Sequence, residues 1–221
     1  MMVLRPIESK RMPLSAMRST FLRACLVLTV LFGNRSGLAA DQTSSTQSRP
    51  AAPAEAAGRL SLPPGFRATL FAAEPDVVQP IAFTIDPKGR LWVVECYSYP
   101  LWLGGPNGRD RILIFEDTDG DGAHDRRTVF YEGGTNFTGI ELGFGGVWVC
   151  ATPNLIFIPD QDGDDRPDGP PEIKLDGWST NARHNLFNGL RWGPDGWLWG
   201  CNGILSESKV EIGRASCRER V

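Results

Sequence analysis

The stretch IDPKGRLWVVE, Ile85 to Glu95, places a glycine turn directly ahead of a short strand carrying Trp92, and its pattern returns twice further along. LGFGGVWVCA (Leu142 to Ala151) and WGPDGWLWGCN (Trp192 to Asn202) set Gly145 before Trp148 and Gly196 before Trp199 at the same spacing as Gly89 before Trp92. A second element alternates with the first. RILIFEDTDGDGAHD (Arg111 to Asp125) and NLIFIPDQDGDDRPD (Asn154 to Asp168) each run from an apolar strand into an Asp-rich loop. A further strand pattern follows each loop, RTVFY at Arg127 to Tyr131 and EIKL at Glu172 to Leu175.

Each unit therefore reads strand, glycine turn, tryptophan strand, apolar strand, acidic loop, strand. Four short antiparallel strands in ~40 to 55 residues have the size and make-up of a propeller blade. The expected fold class is all-β: a partial β-propeller over residues 60–210, with about two complete four-stranded blades and the start of a third. The alternative is a β-sandwich, which does not require the same turn chemistry at the same strand of successive units. Because a propeller closes only with about four blades or more, the chain reads as a truncated fragment, expected to be inactive by itself. An apolar face is then expected where the next blade would pack, with the tryptophans serving as blade-packing anchors.

The flanks read differently. Arg5, Lys10, Arg11, Arg18 and Arg23 precede the short apolar run ACLVLTVLF (Ala24 to Phe32), and Gly37 and Ala39 supply small residues at a cleavage site before Ala40. Residues 1–39 have the form of a secretory signal peptide; the apolar run is less than half of the ~20 residues that a membrane span needs. Export to the periplasm or medium follows, with no membrane span after cleavage. Residues 40–59, rich in Ser, Thr, Ala, Pro and Gln, read as a disordered linker. At the other end EIGRASCRERV, residues 211–221, resembles a translated sequencing adapter and is set aside as an artefact.

Residues 1–39 hold six Lys/Arg against Glu8, so the remainder carries a formal charge of −8 where the whole chain has −3. Such an acidic exported chain has no electrostatic reason to seek nucleic acid. Cys96, Cys150 and Cys201 remain in the exported part. Equivalent positions on neighbouring blades lie too far apart for a disulfide, so Cys150 and Cys201 are read as buried free thiols.

The acidic loops keep Asp at positions 1, 3, 5 and 9: Asp117, Asp119, Asp121 and Asp125, then Asp160, Asp162, Asp164 and Asp168. Carboxylates spaced by two around a glycine-bearing turn converge on one point, which is how oxygen ligands wrap Ca²⁺. Position 12 lacks the glutamate of an EF-hand, being Thr128 or Pro171, and Asp165 stands where that loop has glycine. The competing reading is a pair of solvated Asp-Gly hairpin turns. His124, inside the first loop, reads as a solvated turn residue.

The runs LPPGFRATLFAAEPDVVQPIAFTIDPKGRLWVVECYSYP, DRILIFEDTDGDG and HNLFNGLRWGPDGWLWGCNGI resemble the N-terminal propeller of the exported membrane-bound dehydrogenases of planctomycetes and verrucomicrobia. That family is related to the soluble quinoprotein glucose and sorbosone dehydrogenases, propellers that use pyrroloquinoline quinone (PQQ). The resemblance implies an oxidoreductase acting on a small-molecule sugar or alcohol with PQQ and calcium, and a c-type cytochrome domain downstream. No Cys-x-x-Cys-His haem motif occurs in this chain. By the same resemblance His184, ahead of Gly193-Pro194-Asp195-Gly196, is the catalytic base, with Arg183 and Asn185 as candidate cofactor contacts. An imidazole suits that task because its ordinary pKa, ~6.5, leaves it able to accept a proton at neutral pH. Leu190 follows the histidine one residue later than in the relatives, a spacing that could turn the ring aside. Read from the residues alone, His184 is rather a loop residue whose ring bonds a neighbouring backbone carbonyl, and Trp102 is the tryptophan expected to face a ligand. The rival function is a non-catalytic propeller that binds glycan or protein, or scaffolds a haem domain.

Overall fold

The computed structural model describes residues 51–101, 108–181 and 184–212. The signal peptide, most of the linker, Trp102, Arg183 and residues 213–221 of the tail lie outside them.

Each glycine turn closes a hairpin by its own local chemistry. In the first, the Asp86 carboxylate accepts the N–H groups of Lys88 and Arg90, both at 2.9 Å, and Gly89 takes a positive φ of 82°. An aspartate that bonds its own backbone two residues on nucleates such a turn. It joins β1 (Pro80–Ile85) to β2 (Leu91–Glu95), and β3 (Asp110–Glu116) and β4 (Arg126–Gly134) extend the sheet in the order β1-β2-β3-β4, all antiparallel. In the second, Phe144 and Gly145 both have positive φ, 56° and 72°, the backbone that matches strand twist in a tight hairpin. It joins β5 (Phe137–Leu142) to β6 (Gly146–Ala151), followed by β7 (Asn154–Pro159) and β8 (Glu172–Asp176). Gly193-Pro194-Asp195-Gly196 joins β9 (Asn188–Trp192) to β10 (Leu198–Cys201) in a two-stranded sheet.

The fold is therefore all-β and antiparallel, and its sheets begin and end where the repeat places them. One strand was not expected: β11 (Glu211–Ile212), at the start of the segment set aside as adapter, pairs with β8 and makes the second sheet five-stranded. The Ala/Pro segment before the sheets, expected to be structureless, has a single helical turn at Pro53–Ala56 and a 3₁₀ turn at Ala57–Arg59. Glu55 and Arg59 pair there at 2.9 Å, and no side chain is buried. Among the described residues no helix is long and apolar enough to cross a membrane.

Both faces of the first sheet are covered. Trp92, Val94, Ile112 and Ile114 face the second sheet, where Ile140, Val147, Val149 and Ile158 meet them. Val93, Leu113 and Phe115 face the other way, under Phe71, Ala72 and Val77. This explains why β2 and β3 read as continuous apolar runs rather than alternating ones. A second core, formed around Cys150, Leu155, Trp178, Phe187 and Leu190, lies between the second sheet and the β9–β10 hairpin.

Two expectations about side chains need correction. His124 is not a solvated turn residue: its Nδ1 lies 2.7 Å from the Phe71 carbonyl oxygen, and its ring meets Phe115 edge-on at 4.8 Å. The segment that covers the first sheet is what buries it. Trp199 occupies the position of Trp92 and Trp148 yet is 60 % exposed, beside Trp197 at 72 %, because no described element packs over that side of the hairpin.

Cys96, Cys150 and Cys201 are all free, but Cys201 is exposed where burial was expected. Burial, aided by the Asp110 carboxylate, pushes the Cys96 thiol up to about 11, and burial beside Cys201 pushes Cys150 well above its usual range. At pH 8 a maleimide reagent is therefore expected to label Cys201 in the folded chain and to reach Cys96 and Cys150 only after denaturation. Peptide mapping checks this, and rapid labelling of Cys150 without denaturant would contradict the packing described.

Candidate functional site

The first strands of the three units lie side by side, β1 against β5 and β5 against β9. Gly139 makes the second approach possible: a Cβ there would stand 3.0 Å from Cys150 Sγ and 3.4 Å from Gly189 N. Thr138 adds a cross-link, its hydroxyl donating to the Phe187 carbonyl oxygen at 2.5 Å.

Between these strands is a cavity of about 520 Å³, lined by Ile81, Ala82 and Phe83 of β1, Thr138, Gly139 and Ile140 of β5, and Asn188 to Arg191 of β9. Tyr99, His184 and Leu186 complete the lining. The Tyr99 hydroxyl and His184 Nδ1 are 3.0 Å apart, and the two rings meet edge-on with centroids 5.7 Å apart.

The segment bearing Tyr99 is fixed from beneath by a fully buried carboxylate. Asp110 accepts the N–H and hydroxyl of Ser98, each at 2.8 Å, and the N–H of Phe137 at 2.9 Å. Glu95, also fully buried, accepts the N–H of Val78, the Tyr97 hydroxyl and the guanidinium of Arg111. These networks satisfy the acceptors that burial would otherwise penalise.

At another part of the lining, Glu141 of β5 accepts the Thr84 hydroxyl of β1 at 3.0 Å and lies 3.4 Å from Arg191 Nη1 of β9. One carboxylate thus touches all three first strands.

Residues 52–220 match the model of a family described as a domain of unknown function, DUF7133. The chain belongs to the DUF7133 family. No curated protein and no solved structure matches it. The match takes in the described part of the chain from Ala52 onward and runs into the segment that resembles adapter sequence.

Within this DUF7133 domain the expected site residues divide. His184 lines the cavity; Gly189 has a φ of 67°, and Leu190 is buried. Asn185 is not among the lining residues; its carbonyl oxygen accepts the Ser206 hydroxyl. Tyr99 was missed, because a contact between residues 85 apart leaves no local signal.

Each acidic loop draws together three of its four expected carboxylates. Asp117, Asp119 and Asp125 have oxygens within 4.8 Å of one another, as do Asp160, Asp162 and Asp168. Asp121 and Asp164 stand outside these groups and accept the N–H groups of Ala123 and Arg166. In the first loop the carboxylates are also occupied locally: Asp117 accepts from Gly120 and Gly122, and Asp125 from the N–H and hydroxyl of Thr118. Those Thr118 bonds hold the Asp125 carboxyl below the usual range. In the second loop Asp160 keeps one buried oxygen without a partner, and burial together with Asp165 and Asp164 raises its pKa. Asp165 takes the glycine-like backbone that its place demands, with φ 68°, and turns its carboxylate to Arg90 of the first sheet at 2.7 and 2.9 Å.

Proposed function

We propose that this DUF7133 domain is part of a β-propeller in an exported dehydrogenase that oxidises a sugar or alcohol, with His184 as the base that takes the hydroxyl proton. The observation that carries the reading is the meeting of His184 and Tyr99 in a cavity walled by the first strand of each unit. Side-by-side first strands around a central space are what radially arranged blades produce. A mostly apolar cavity with a few convergent polar groups is the usual form of a small-molecule site.

The chain's own residues supply the proton chemistry. When the imidazole donates from Nδ1 to the Tyr99 oxygen, the lone pair is left on Nε2, the tautomer that a base requires. Tyr99, held through Ser98 and Asp110, keeps the ring in that orientation. The hydride needs a two-electron acceptor. Arg191 is the one permanent cation among the described lining residues, too few to cradle the three carboxylates of PQQ, so these residues do not by themselves fit that cofactor.

The acidic loops do fit a hard divalent cation. Three convergent carboxylates, with an orphaned oxygen on Asp160, are suitable donors for Ca²⁺. They connect β3 to β4 and β7 to β8 and contribute nothing to the cavity lining, so the ion would brace hairpins rather than take part in the reaction. Calcium at about a hundred times its Kd is expected to raise Tm by roughly 5–10 °C over an EDTA-treated sample. A melting curve indifferent to both would remove calcium from the proposal.

The functional reading is tested by reduction of an artificial acceptor dye by the natural, full-length protein, supplied with quinone, Ca²⁺ and a panel of sugars and alcohols. Turnover that disappears in His184→Gln supports it. No turnover with any member of the panel, but saturable glycan binding at the cavity, favours a binding propeller instead.

A further inference from the structure

The cavity between β1, β5 and β9 has a charged side. Arg191 contributes to the lining, and its side chain is 68 % exposed. Among the described residues its guanidinium makes one hydrogen bond, from Nη1 to Glu141 Oε2 at 3.4 Å. An arginine carries five N–H donors in a planar fork, so most of this fork is open to a ligand. Glu141 does not compete for the same place: it is 10 % exposed, and its other oxygen accepts the Thr84 hydroxyl at 3.0 Å and the Leu142 N–H at 3.1 Å. Those two bonds hold its carboxylate in place. Among the described lining residues there is no other Lys, Arg, Asp or Glu, and side chains such as Ile81, Phe83 and Ile140 make much of the wall apolar.

We infer that the cavity takes a hydroxy acid rather than a neutral sugar, with Arg191 binding the carboxylate of the substrate whose hydroxyl His184 serves. The inference rests on the proposed reading of this cavity as a substrate site and narrows its substrate class. A carboxylate matches the fork with two parallel N–H···O bonds. With Glu141 already balancing part of the arginine's charge, a monoanion suits the position better than a multiply charged group.

The test compares gluconate with glucitol, its open-chain counterpart with a neutral hydroxymethyl group in place of the carboxylate, by titration calorimetry on the full chain. Gluconate is expected to bind at least about tenfold more tightly at low salt, as a charge-assisted pair provides, and the advantage to shrink as ionic strength rises. Arg191→Gln removes the preference, and Arg191→Lys, which keeps the charge beside Glu141, retains part of it. His184→Gln keeps the preference, because the carboxylate contact is independent of the proton acceptor. Preference retained in a chain that shows no turnover would therefore overturn the catalytic reading alone. Gluconate binding no tighter than glucitol, including no binding of either, or an undiminished preference in Arg191→Gln, would overturn the inference about Arg191.

Discussion

Arg90→Met is expected to destabilise the chain by about 3 kcal/mol, the cost of removing one partner from a buried ion pair. For a domain of this size that lowers Tm by roughly 6–12 °C. Arg90 is 8 % exposed and donates from Nε to Asp86 at 2.7 Å and from both Nη atoms to Asp165. The Trp92 indole donates to the same Asp86 oxygen at 3.1 Å. One guanidinium therefore ties the first hairpin turn to the acidic loop of the next sheet. Methionine fills similar space but leaves two carboxylates without a counterion. Asp165→Asn should cost less, because the Asp86 pair survives it. Burial opposes the charge on Asp86, but bonds from the Arg90 and Trp92 N–H groups and the Arg90 charge outweigh it, and the pKa is lowered. A lowered folded-state value means that the stabilisation is complete above the unfolded value of about 3.9 and is lost as pH falls through the folded one. Wild type should thus lose stability more steeply than Arg90→Met below about pH 4. Thermal unfolding at pH 7 and pH 3 measures both effects; a variant melting within a degree of wild type at pH 7 would refute the role given to the pair.

The same contact shows where sequence reading stops. The repeat was legible because hairpin turns impose backbone requirements: Gly89, Gly145 and Gly196 all adopt positive φ, and strands with apolar runs must lie between them. Asp165 was visible only as a departure from a calcium loop. Its partner is 75 residues away, and neither residue signals the other locally. His124 was misread for a similar reason, since the carbonyl it meets belongs to Phe71, 53 residues earlier. His184 stood out as one of two histidines in the chain, but Tyr99 looks like any aromatic loop residue until β1, β5 and β9 are set side by side. Residues that satisfy local geometry can be read from their neighbours in the chain, whereas residues that join units need the units in place.

If His184 is the base proposed, His184→Gln will reduce the turnover of the natural, full-length protein by a factor of about 10² to 10⁴, the usual contribution of a positioned base. Its melting temperature should be unchanged, because the side chain is exposed and packs into no core cluster. Glutamine can still hydrogen-bond a substrate hydroxyl but cannot take its proton, so the loss should fall on kcat rather than KM. Tyr99→Phe isolates orientation from chemistry: it keeps the edge-on ring contact at 5.7 Å and removes the hydroxyl that meets Nδ1 at 3.0 Å. A loss of about tenfold in kcat is expected, the equivalent of one hydrogen bond. If Tyr99 acts through His184, the two substitutions will not be additive, and Tyr99→Phe will have no further effect in the His184→Gln background. A purely structural tyrosine would instead lower Tm in both backgrounds and leave the kcat ratio between them unchanged. Full independence of the two kinetic effects would separate Tyr99 from the base, and wild-type turnover in His184→Gln would remove the base itself.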